Sequence, residues 1–125
     1  MVTTEISQIN GACLNWTNTL REQRTHFGTL KEKLAQVSTH LHDNDSLREI
    51  EHFQNQFYIQ LINIHDLKHA IREHEQIAAW ELKQHGQVSD ATLSAHDALE
   101  DQFGQLEQTL QEVEKDFGNF TNTAH

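Results

Sequence analysis

A chain of 125 residues suits a single domain with a real core, and 36% hydrophobic with 22% charged residues fits elongated helices sharing a narrow seam. Proline is absent and only five glycines occur, so nothing inside the long periodic stretches forces a break and helix is the default. A formal net charge of -10 repels phosphate backbones and anionic lipid surfaces, and no basic run offsets it, which argues against nucleic-acid and membrane-surface partners.

The opening Met-Val-Thr-Thr-Glu has no basic segment followed by an apolar run, and no stretch approaches the ~20 apolar residues of a membrane span. A cytoplasmic location is therefore the expectation. Cys13 is the single cysteine, excluding an intramolecular disulfide, and its place on an apolar seam predicts a buried, inert thiol.

In the first third, Ile6, Ile9, Cys13, Trp16, Leu20, Phe27, Leu30, Leu34, Val37 and Leu41 recur at alternating steps of three and four, interrupted by Gln23. That spacing is the a/d seam of a helix spanning about residues 4–42. Asp43-Asn44-Asp45 then breaks the pattern, and Ser46-Leu47-Arg48-Glu49 has the form of a capping box, with Ser46 predicted to accept from the Glu49 amide.

The second helix, about 46–85, carries an apolar face of Leu47, Ile50, Phe57, Leu61, Ile64, Ile71, Ala78 and Leu82, widened by Phe53 and Leu67. Gly86 can supply a left-handed terminator, and Ser89 followed by Asp90 can cap a third helix of about 89–118. Leu99, Phe103, Leu106, Leu110, Val113, Phe117 and Phe120 form the third stripe, with His96 one step earlier, and a short disordered tail is expected beyond it.

Short connections between long helices require antiparallel neighbours, so the predicted fold is an all-α, up-down-up bundle of three long helices with coiled-coil-like heptad packing. With turns centred near Asn44 and Gln87, Gln23 comes level with His65, and Lys68 with Leu20 and Leu106; both polar residues are read as fixing register. The layout resembles three-helix spectrin-like repeats with a tryptophan in the first helix, here Trp16, as a likeness of architecture without a diagnostic string.

Two features exceed what a plain bundle needs. Around the second helix at ~100° per residue, Tyr58, Ile62 and Trp80 fall opposite the seam, with Ile59 and Ile77 nearby. Such a cluster marks a second packing surface, and self-association into a homodimer, or docking of another helical protein, is the expected way to bury it.

The second feature is ten histidines, five of them on the second helix. His65 and His69 stand at i, i+4 with Glu73 one turn on, a row with the spacing of ligands for a divalent transition metal such as zinc, completed by a symmetry mate if the chain dimerises. A carboxylate-bridged dimetal centre does not fit, because only Glu49-Ile50-Glu51-His52 supplies a Glu-x-x-His motif. His74 and His96 lie near the seam, where burial lowers the pKa of an imidazole.

No nucleophile with base and oxyanion donors, phosphate-cradling loop or dinucleotide fingerprint is present, so catalysis is not expected. A small-molecule site between the helices ranks behind the other readings because regular heptads fill the core. The sequence therefore predicts a noncatalytic interaction module, with a metal-binding bundle as the alternative.

Overall fold

The computed structural model describes residues 2–123, which form three helices: α1 Val2–Ser38, α2 Asn44–His85 and α3 Asp90–Thr123. They pack as the expected all-α antiparallel bundle. The middle helix, α2, makes close contact along both partners, whereas α1 and α3 approach each other least.

The ends of the helices follow from local chemistry, with some shifts from the expected bounds. Asp43, in extended backbone, caps α2 by accepting from the Ser46 amide at 3.0 Å. The cap therefore sits three residues before the expected Ser46, because an aspartate there satisfies a free amide and also places negative charge at the positive end of the helix dipole. At the other end Gly86 takes φ 74°, and its amide donates to Leu82 O at 2.9 Å, closing α2 as its sequence predicts.

Ser89 caps α3: its hydroxyl accepts from the Thr92 amide at 3.1 Å. It is braced from α2, since the Glu81 carboxylate accepts from the Ser89 amide at 2.9 Å and from its hydroxyl. Those bonds hold the Glu81 carboxyl below the usual carboxylate range, the Ser89 amide contributing most. Helix α1 stops at Ser38, short of the expected residue 42, and α3 runs on through Asn119–Thr123, where a disordered tail was expected; residues 124–125 lie outside the described residues.

Most seam residues enter or pack against one continuous core, whereas Leu47 is 47% exposed. It lies in the first turn and a half of α2, where its side chain is left outside the core. The widening residues Phe53 and Leu67 are instead fully part of the core, as is Val88 in the second turn.

An aromatic cluster ties the three helices together. Phe57 meets Phe27 of α1 edge-on at 5.8 Å between ring centroids and Phe117 of α3 at 5.1 Å, while Phe53 contacts Phe117 and Phe120. Edge-to-face geometry aligns the positive ring edge with the negative ring face, adding to the gain from burial. Near the same end, His26 Nε2 lies 2.6 Å from Glu114 Oε1, linking the two helices that otherwise touch least.

Gln23, which interrupts the seam, leaves Oε1 buried without a hydrogen-bond partner. The helical glycines Gly11, Gly28 and Gly104 have open space where a Cβ would stand, so close helix approach does not require them.

Candidate functional site

The residues expected to form an interaction surface are all exposed: Tyr58 68%, Ile59 44%, Ile62 40%, Ile77 51% and Trp80 57%. Their position follows from the helical period. Phe53, Phe57, Ile64, Leu67, Ile71 and Ala78 turn toward α1 and α3, and the residues roughly half a turn away have no covering helix. Trp80 stands edge-on to His85 at 5.7 Å, and it shares a shallow surface depression with Glu73, Gln76 and Ile77.

The histidine row lies on this same face. His69 Nε2 and Glu73 Oε1 meet at 3.1 Å across one helical turn, with side chains 65% and 62% exposed. His65 is also exposed, and it does not join them in a set of three converging ligand atoms.

Among the described residues, such a set occurs inside the bundle instead. Cys13 from α1, His74 from α2 and His96 from α3 place a sulfur and two ring nitrogens within 4.8 Å of one another. Cys13 and His74 are buried, and His96 is half-buried. His74 Nε2 lies 3.1 Å from His96 Nδ1 with the two rings stacked, and Trp16 packs against His96 at 4.9 Å between centroids.

Burial, reinforced by the negative charge of Glu75, pushes the Cys13 thiol up to about 11, so the free thiol stays protonated and unreactive near neutrality. Burial and then the neighbouring His96 lower the pKa of His74, against a smaller opposing pull from Glu81. Without a bound ligand, one imidazole nitrogen donates to the other, which accommodates both polar rings.

Cys13 is buried as its seam position predicts, and its position beside two imidazoles is not anticipated by the sequence reading. The signal was available. Reflection about a turn centred near Asn44 brings Cys13 level with residue 75, and reflection about Gln87 brings His96 level with residue 78. Heptad position and hairpin arithmetic together therefore place the three residues in one layer.

A further difference concerns charge. Lys68, read from the sequence as fixing register, lies beside Arg21, Arg24 and Arg72, and a surface groove there is lined by Leu14, Thr17, Arg21, Lys68, Arg72 and Glu75. Partial burial and then those three guanidinium groups lower the Lys68 pKa. A local cationic cluster thus exists where no basic run is visible, because its members come from two antiparallel helices.

No helix among the described residues is long and apolar enough to cross a membrane. Compared with protein-family models, with curated proteins and with solved structures, the chain matches none.

Proposed function

We propose that this chain is a noncatalytic helical interaction module that forms a homodimer through the outer face of α2. The observation that carries the reading is the exposure of Tyr58, Ile59, Ile62, Ile77 and Trp80 on the side of α2 away from its own core. Five large apolar side chains on one face of an acidic, strongly polar chain lose free energy to water unless something covers them.

Their order along the helix favours a second copy over an unrelated partner. Tyr58, Ile59 and Ile62 form one group and Ile77 and Trp80 another, separated on that face by His65, His69 and Glu73 and centred near His69. An antiparallel mate turned about a two-fold axis at that centre sets Tyr58 level with the partner's Trp80 and brings Ile59 to within two residues of the partner's Ile77. The patch spans about 33 Å at 1.5 Å per residue, and one surface then serves both subunits, as an isologous interface requires. The alternative of a zinc-like ion on His65, His69 and Glu73 draws on the His69–Glu73 contact alone and ranks second.

The test is the solution mass of untagged protein across a dilution series, by analytical ultracentrifugation and native mass spectrometry, for the wild type and Ile62→Asp. Ile62 is 40% exposed, so the charge spares the intramolecular core. A wild-type dimer that Ile62→Asp converts to a monomer of unchanged helicity supports the reading. A wild type that stays monomeric throughout, or an unaltered dimer in the variant, overturns it.

A further inference from the structure

The layer formed by Cys13, His74 and His96 has the features of a metal site: one potential ligand from each helix, two of the three residues buried, and donor atoms that converge. Zinc binds imidazole nitrogen at about 2.0–2.1 Å and thiolate at about 2.3 Å, so two nitrogens on a tetrahedral ion lie roughly 3.3 Å apart and nitrogen and sulfur roughly 3.6 Å. His74 Nε2 and His96 Nδ1 already stand 3.1 Å apart, and Sγ lies within 4.8 Å of both. Shortening each sulfur–nitrogen distance by at most about 1.2 Å, a sulfur shift of roughly 1.3 Å, completes three tetrahedral positions.

From this geometry we infer that Cys13, His74 and His96 form an intrachain binding site for one zinc-class transition-metal ion. The donor set selects the class. A thiolate with two imidazoles suits borderline ions such as zinc and cobalt, whereas calcium and magnesium require oxygen donors. Of the two carboxylates that act on these groups, Glu81 is engaged in bracing the Ser89 cap and Glu75 is not among the converging donors, so water or a small exogenous donor takes the fourth position.

Binding balances simply. The Cys13 S–H bond breaks and its proton leaves to solvent as the sulfur–metal bond forms. The proton shared between His74 Nε2 and His96 Nδ1 moves to the other nitrogen of its ring, so both coordinating nitrogens present lone pairs. Trp16, packed against His96 with the two rings tilted, restricts that ring.

The inference does not depend on the homodimer, because all three ligands come from one chain. Its test uses cobalt(II) as a coloured probe for zinc. The full chain is refolded from urea with one equivalent of cobalt, so that burial cannot block entry, and its near-ultraviolet thiolate-to-cobalt absorption is recorded before and after zinc is added.

The expected result is a 1:1 complex with that absorption, displaced by zinc, and retained in the double variant His65→Ala, His69→Ala. Cys13→Ser abolishes the band and His96→Gln weakens binding by more than about 100-fold, beyond the 10- to 100-fold typical of losing a supporting partner alone. His96 is half-buried, so its variant remains informative should Cys13→Ser fail to fold, circular dichroism being the check. Cobalt bound without sulfur absorption, binding lost only in the His65, His69 double variant, or no binding after refolding overturns the site.

Discussion

Replacing Phe57 by alanine tests the aromatic cluster most directly. Its ring is fully buried and packs on Phe27 of α1, Phe53 of its own helix and Phe117 of α3, so truncation opens a cavity where all three helices meet. Phe→Ala changes in cores cost about 3–5 kcal/mol, and long flanking helices cannot collapse into the gap without disturbing adjacent seam layers. The unfolding entropy expected for 125 residues is about 0.26 kcal/mol/K, so the melting temperature should fall by ~10–20 °C. Thermal unfolding by circular dichroism, with urea titration as a second measure, reads this out. Asn55→Ala, two residues away and exposed, is the control and should stay within ~0.5 kcal/mol. A drop of only a degree or two for Phe57→Ala would refute the view that this cluster ties the helices together.

Other substitutions separate backbone, polar and electrostatic effects. Gly104→Ala should stabilise by about 0.5–1 kcal/mol, since its Cβ meets open space in a regular helix, whereas Gly86→Ala should destabilise by about 1–2 kcal/mol because of its φ of 74°. Equal signs in thermal melts would contradict this assignment. Gln23→Leu removes a buried oxygen without a partner and should raise stability by about 1 kcal/mol, read as a higher urea midpoint; a lower midpoint would mean that the glutamine holds register.

Hydrogen bonds from Ser46 hold the Asp43 carboxyl below its ordinary 3.8. Its stabilising contribution is therefore complete above that value and declines as pH falls through the folded-state pKa, where the unfolded chain has already taken up its proton. Asp43→Asn keeps a capping oxygen without a titrating group, and acid titrations of stability should show a shallower loss below pH 3.8 than in wild type. Identical acid profiles would remove Asp43 from the account.

Much of this protein was written locally. The three- and four-residue spacing of its apolar residues, Gly86 and the Ser89 cap determined three helices, two short turns and an antiparallel bundle, because helical period and turn chemistry act over a few residues. The same period made the outer residues from Tyr58 to Trp80 legible, since a residue facing away from the seam of a three-helix bundle meets solvent. Competition between neighbouring caps was less legible: Asp43 and Ser46 are both good candidates, and the structure selects Asp43.

Tertiary structure decided what depends on register between helices. Leu47 shares the apolar period of its neighbours yet remains exposed in the first turns of α2. Cys13, His74 and His96 are separated by dozens of residues, and the Arg21, Arg24, Lys68 and Arg72 cluster is likewise split between two helices. Periodicity assigns each of these side chains to a face of its own helix and hairpin arithmetic brings them to within about a turn of one level, but only the packed arrangement of the helices fixes the final offset, and a shift of one turn, about 5.4 Å, would separate every one of these groups.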